Sequence, residues 1–243
     1  MAEAIRVQKA VAGAGLMSRR AAEDAIRQGR VAVDGETVVL GDRVDVSTQR
    51  VTVDGIPIPV NPESETHLVY KPPGVVSTAS DPEGRRTVVE LVPTRARLFP
   101  VGRLDYDSEG LILLTNDGDL ANRVTHPRYG IVKSYLALVR GAPGKAEIRR
   151  LTAGIELDDG TARALSATVV GRKGAEAMVE LTMGEGHNRE IRRMFEAMGL
   201  EVTRLVRTAI GPISDRSLQP GQSRRLSPSE IRDLLASGSP GAP

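Results

Sequence analysis

The sequence predicts an α+β fold in two domains, and three features of the 243-residue chain carry that prediction. Apolar residues recur at helical spacing in some stretches and alternate with period two in others. Asp34-Gly35 and Asp54-Gly55 each stand between alternating apolar residues, a strong signal for a two-residue hairpin turn. Gly55 to Thr66 holds Pro57, Pro59 and Pro62 without periodicity and reads as an interdomain linker. The expected division is a small domain at 1–60, a linker at 61–66, a larger domain at 67–236 and a loose tail at 237–243.

In chain order, Ile5 to Ala12 suggests a short helix ending at Gly13 or Gly15. Ser18 is an N-cap for a second helix, with Ala22, Ala25 and Ile26 as its apolar stripe and Gly29 as its stop. Val31 to Val33 opens the first hairpin. Leu68 to Lys71 reads as a strand running into a proline-glycine turn. Leu111 to Leu114 is a short buried strand, bounded by Gly110 and the Asn116-Asp117-Gly118 turn. Leu120, Ala121 and Val124 predict a helix that Pro127 stops, and Lys133 to Val139 alternates with Tyr135, Ala137 and Val139 on one face. A helix over Ala146 to Leu151 ends at Gly154, and Met178 to Met183 is another strand. Ile191, Met194, Phe195 and Met198 form a helical core stripe. Val202 to Arg207 alternates as a strand, and Ser227-Pro-Ser-Glu230 is a capping box opening the last helix.

Composition narrows the function. There is no cysteine, which excludes disulfides, thiolate catalysis and cysteine zinc sites and fits a reducing cytoplasm. Three dispersed histidines make a histidine metal site improbable. No apolar run approaches the roughly 20 residues of a membrane span, and no signal peptide is read. The net charge is only +2 although the isoelectric point is about 9.1, so any basic surface must be local. Two Phe, four Tyr and no Trp leave no material for a base-stacking platform of the single-strand-binding type.

The charge-rich centre is Arg103, Asp105, Asp107 and Glu109, immediately before the 111–114 strand. A solvated acidic loop is one reading. A calcium loop is another, but its twelfth position is Asn116 and a Leu-Ile-Leu-Leu run replaces its polar middle, so the metal reading fails. The third reading is a resemblance. Gly102-Arg-Leu-Asp105-x-x-Ser108-x-Gly110, continuing to Thr115-Asn-Asp-Gly118, is similar to the signature of bacterial ribosomal pseudouridine synthases of the RsuA/RluB type. Lys133-x-Tyr135 and Asn188-Arg189-Glu-Ile-Arg192-Arg193 fit later motifs of that family. Arg6…Ser18-Arg-Arg…Gly29-Arg-Val-x-Val-Asp-Gly35 resembles the alpha-L RNA-binding module of ribosomal-protein-four type. The match covers most of residues 5–235.

The resemblance implies a catalytic domain on a mixed, mainly antiparallel sheet with flanking helices. It implies isomerisation of a uridine in ribosomal RNA or a pre-ribosomal particle, with no metal or redox cofactor and no membrane; a monomer is expected. Asp105 is then the essential carboxylate; an aspartate's ordinary pKa of about 3.9 leaves it ionised at neutral pH without a histidine. Arg192, at the edge of the helical stripe, would pair with it bidentately. Tyr135 would pack on the target base and could take its carbon 5 proton, Arg103 would fill the gap left by the flipped nucleotide or hold its phosphate, and Leu205 would line the uracil pocket. Lys71, in Lys-Pro-x-Gly, would support the site. Arg204 and Arg207 are read as phosphate contacts, as are Arg85 and Arg86 in a mobile loop, and Arg189 and Arg193 as RNA-facing residues on the wet side of their helix. In the small domain Arg6, Lys9, Arg19, Arg20, Arg27 and Arg30 make either an ordinary solvated helix face or a grip on phosphates, and the alpha-L resemblance favours RNA. His187 stands where several relatives carry Arg. Asp81-Pro-Glu-Gly-Arg85, Asp119-Leu-Ala-Asn-Arg123-x-x-His126-Pro127 and Gly154-x-x-Leu-x-Asp-Gly160 look most like the RluB branch, implying 23S rRNA. The alternatives are a 16S rRNA synthase and a non-catalytic ribosome-assembly factor. A carboxylate-based sugar hydrolase would want aromatic subsites that are missing.

Overall fold

The computed structural model describes residues 4–59, 63–141 and 143–238. Residues 61 and 62 of the expected linker and 239–243 of the expected tail lie outside them. The chain forms two compact units, one of Met1–Glu65 with the short segments Thr94–Arg97 and Asn116–Gly118, the other holding the remainder. No helix among the described residues is long and apolar enough to cross a membrane.

In the small unit, β1 (Ile5–Arg6) precedes α1 (Val7–Gly13), α2 (Arg19–Arg27), β2 (Val31–Val33), β3 (Glu36–Thr37), β4 (Arg43–Val44), β5 (Val51–Val53) and β6 (Ile56–Pro57). Ser18 Oγ accepts from Ala21 N at 3.1 Å, capping α2. Asp34-Gly35 and Asp54-Gly55 both take positive φ, the requirement of a tight hairpin turn. Val7, Val11, Ala22, Ala25, Ile26, Val31 and Val53 share one core. Two expectations shift. Ile5 and Arg6 leave the first helix to pair with Val44 and Arg43, and Ile56–Pro57 is a strand paired with β5 rather than linker. Backbone pairing to the distant Arg43–Val44 segment decided the first, which local periodicity does not show; the second is the far strand of the Asp54-Gly55 hairpin, which runs on into the stretch read as linker.

The larger unit contains β7 (Thr66–Lys71), β8 (Phe99–Val101), β9 (Glu109–Thr115), α3 (Gly118–Thr125), β10 (Lys133–Arg140), α4 (Lys145–Ala153), β11 (Ile155–Leu157), β12 (Gly160–Ala162), β13 (Ser166–Lys173), β14 (Glu176–Met183), α5 (Glu190–Glu196), β15 (Glu201–Ile210), β16 (Ser223–Arg225) and α6 (Pro228–Ala236). Its sheet runs β13-β14-β10-β15-β9-β7-β16, with β8 also on β9. The β15–β9 pair is parallel and the other pairs are antiparallel. Every residue of β9 is buried, as an apolar run covered on both faces should be. Leu68, Leu111 and Leu113 pack with Leu120, Val124 and Leu234 of α3 and α6. The capping box at Ser227 forms, with Glu230 reaching back to Ser227 N at 2.8 Å.

Gly110 is not the boundary of β9 but its second residue. Its φ is +107°, and a Cβ there would stand 2.3 Å from the Arg207 carbonyl oxygen, because the parallel partner crosses tightly at this point. Gly110→Ala is therefore expected to destabilise the larger unit by about 3 kcal/mol or more. Urea denaturation checks this, and a loss below about 1 kcal/mol would show that the two strands can separate without cost.

Candidate active site

Strand register puts three of the expected site residues in one row. Tyr135 pairs with Arg207, Arg207 with Gly110, and Gly110 with Lys71, across β10, β15, β9 and β7. Residues directly opposite on paired strands share a face, and each strand step is about 4.8 Å. The loop 102–108 leads into β9 just ahead of Gly110. Leu205, two residues before Arg207 and opposite Ala137, is buried on β15.

Lys71 has no exposed surface, and its Nζ donates to the carbonyls of Ser108 at 2.7 Å and Pro72 at 3.0 Å. Burial pulls its pKa down to about 8, against the opposing attraction of Asp105, Asp107 and Glu109. Arg207 is also buried. Its Nε donates to Leu111 O at 2.6 Å and Nη1 to Arg103 O at 3.4 Å. Its expected phosphate contact is thus corrected: the side chain is buried and two of its nitrogens are engaged by the backbone that carries the acidic loop, while Nη2 is buried without a hydrogen-bond partner. Arg204 is likewise engaged, donating from Nε to Glu109 Oε1 at 2.5 Å, while Tyr70 donates to Oε2 at 3.1 Å.

Arg192 requires a second correction. It is the most buried arginine of α5, with its side chain 12% exposed, but its carboxylate is Asp107 at 3.4 Å rather than Asp105. Its firmest bond is from Nη1 to Val202 O at 2.7 Å. Arg189 grips the same Asp107 with both terminal nitrogens, at 2.9 and 3.0 Å. It can do so because it caps α5 in the left-handed region, at φ 48°, which brings its side chain round to the loop. Burial raises the Asp107 pKa, but the two arginines outweigh it and the net shift is downward. Arg193 forks onto Asp159 at 2.7 and 3.0 Å. Both "wet side" arginines are therefore committed to carboxylates of the larger unit, not held open.

Asp105 itself is half-buried, and only its backbone oxygen is engaged, accepting from Ser108 N at 3.1 Å to close a turn. Among the described residues its carboxylate accepts no hydrogen bond. Arg103 is exposed, with no side-chain partner among the described residues. Tyr135 is 9% exposed, and its hydroxyl has no hydrogen-bond partner among the described residues. Arg85 is tied to Asp81 at 2.8 Å and to Glu83 at 3.0 Å.

The small unit has its own candidate surface. Arg6, Gln8, Lys9, Arg19, Glu23 and Arg43 line a cleft of about 430 Å³. Arg20 is exposed, while Arg27 and Arg30 are neutralised by Asp24 and Asp54, so the basic cluster is divided. Sequence reading missed Arg43, which the β1–β4 pair delivers from outside the helices.

Comparison with known proteins now bears on this geometry. Residues 65–197 match the family described as RNA pseudouridylate synthase, and residues 5–49 match the S4 domain. The chain is 43% identical over 235 residues to a Bacillus subtilis (strain 168) protein named ribosomal large subunit pseudouridine synthase B, covering 95% of this chain and 96% of the relative. It is 46% identical to a Mycobacterium leprae protein described as an uncharacterised RNA pseudouridine synthase, covering 96% and 93%. A solved structure titled as a crystal structure of pseudouridylate synthase superposes with a TM-score of 0.67 at 30% identity, covering 95% of this chain and 99% of that one. Fold and relatives together define an RNA-modifying isomerase that joins an S4 domain to a catalytic α+β domain. The chain belongs to the RNA pseudouridylate synthase family, in its RsuA/RluB group.

The buried lysine gives a pH test with a definite sign. Between a folded pKa of about 8 and the ordinary 10.5, the unfolded chain binds more protons at Lys71 than the folded one does. Its contribution to stability therefore rises with pH across that window and is lost as pH falls through about 8. Urea unfolding of wild type and Lys71→Met at about pH 7 and about pH 10 should show their difference moving in favour of wild type at the higher pH. A pH-independent difference would mean that Lys71 titrates normally.

Proposed function

We propose that this synthase isomerises a specific uridine of 23S rRNA in the cytoplasm, with Asp105 as the essential carboxylate acting on a flipped nucleotide. The observation that carries the reading is the division of the loop's acids. Asp107 and Glu109 are held by arginines, while the Asp105 carboxylate, felt electrostatically by Lys71 and Arg189, makes no hydrogen bond or salt bridge among the described residues. The large-subunit assignment is supported by the Bacillus subtilis relative's name and by a Salmonella typhi protein of the same name, 41% identical over 215 residues, covering 86% of this chain and 74% of the relative.

The reaction breaks the uridine N-glycosidic bond, turns the base and joins carbon 5 to the sugar, with loss of the carbon 5 proton. Asp105 acts as nucleophile toward the sugar or the base. Tyr135 stacks on the uracil and takes the carbon 5 proton as its own hydroxyl proton is released to solvent, while the uracil N1 freed from the sugar gains a proton, with Leu205 lining the pocket. Arg103 occupies the gap in the stack or holds the displaced phosphate. Flipping costs a few kcal/mol, and backbone contacts offset it. Lys71, Arg207 and Arg192 act as positioning residues, fixing the loop from beneath and from α5.

Incubating the protein with unmodified 23S and 16S transcripts and mapping products by carbodiimide-stop sequencing tests the whole reading. Asp105→Asn should abolish a new 23S site while leaving RNA affinity nearly unchanged; a residual rate within about tenfold of wild type would remove its role. Product in 16S RNA alone would reassign the branch, and binding without product from either RNA would favour an assembly factor. Tyr135→Phe should form no product, and a variant that still forms it would return Tyr135 to simple packing.

A further inference from the structure

The turn after α3 carries charge that neither the fold nor the proposed chemistry uses. Arg123 and Arg128 both lie over the ring of Tyr129, with their guanidinium carbons 5.7 and 4.5 Å from its centroid. Arg128 also donates to the Tyr129 hydroxyl. The turn beneath is stapled: Tyr129 N donates to His126 O at 3.1 Å, Gly130 N to Pro127 O at 2.9 Å and Arg128 N to His126 Nδ1 at 3.2 Å. The His126 ring meets Tyr129 edge-on at 6.1 Å.

Several arginines of the larger unit are neutralised; Arg189, Arg192, Arg193, Arg204 and Arg224 each meet a carboxylate. Arg123 and Arg128 have no carboxylate partner among the described residues, and both are exposed. A tyrosine face orders a guanidinium without cancelling its charge, and leaves N–H donors pointing outward. The location is also specific. A Cβ at Gly102 would stand 3.6 Å from Thr125 Cγ2, so the end of α3 lies against the root of the Asp105 loop. Lys133, two residues before Tyr135, donates from Nζ to Val124 O at 3.1 Å.

We propose that Arg123 and Arg128, held on Tyr129, form a phosphodiester-binding site for the RNA strand flanking the target nucleotide. The inference rests on the synthase reading above and adds a second grip outside the catalytic row. Paired guanidinium forks suit phosphate oxygens, and the preordered ring contact lowers the side-chain entropy lost on binding.

Salt dependence tests it with a readout independent of chemistry. Binding of full-length protein to unmodified 23S and 16S transcripts is measured between about 50 and about 200 mM salt. Loss of two phosphate contacts in Arg123→Gln/Arg128→Gln should flatten the log–log salt slope by about 1.4 to 1.8. KM should rise at least fivefold, with kcat at saturating RNA within about twofold of wild type. The double lysine variant keeps the charges and should retain most of the slope, which a merely structural role would not predict. An unchanged slope and KM in a double glutamine variant with wild-type thermal unfolding would overturn the proposal. Should wild type form no pseudouridine, the synthase reading falls, while the slope still decides whether these arginines hold phosphate.

Discussion

Two cations buried beneath an acidic loop are the constraint on which the site depends. Lys71 and Arg207 come from opposite flanks of β9 and donate to carbonyls of Arg103, Ser108 and Leu111. Burying a charge is costly unless dipoles and countercharges replace water. Here the carbonyls supply the dipoles, and Asp105, Asp107 and Glu109 supply the countercharge felt at Lys71. The arrangement holds the loop from below without touching the Asp105 carboxylate. It also explains Gly110, since Arg207 reaches Leu111 O only because β9 and β15 come together with no side chain between them.

The same loop is fixed from its other sides by unequal treatment of its acids. Arg189 and Arg192 hold Asp107, and Arg204 with Tyr70 hold Glu109. Each of those bonds removes freedom from a neighbour of Asp105 and none removes a lone pair from Asp105 itself. A catalytic group benefits from this combination, because a preorganised site undergoes little rearrangement as charge develops. Arg192 accordingly bears on Asp105 at one remove, through Asp107, instead of by the direct pair that the motif resemblance implies.

Much of this was legible in one dimension. The Gly102–Gly118 motif, the Ser18 and Ser227 caps, both Asp-Gly turns and the Tyr135 face depend on neighbours within a few residues, and the structure forms them as read. What failed to show depends on partners far along the chain. Arg207 looked like a solvent-facing strand residue until the parallel register set it against Gly110. Arg189 looked remote from the loop until its left-handed φ turned it toward Asp107. The edge strand β13 went unseen because its apolar residues follow no clear period; Val170 is half exposed.

Charge accounting links the sheet to RNA binding. A net charge of +2 would give a weak global field, and many arginines here are bound to carboxylates, so long-range attraction cannot be the main source of affinity. Among the described residues, the exposed cations without a carboxylate partner include Arg103 on the 102–108 loop and Arg123 and Arg128 beside its root, and in the small unit Arg6 and Arg19 line a cleft together with Lys9 and Arg43. Counterion release scales with the number of phosphates actually neutralised, not with the count of basic residues. Such a surface gains affinity where the RNA backbone follows its fixed cations. That geometry suits an enzyme that must find one uridine among many without adhering to the rest.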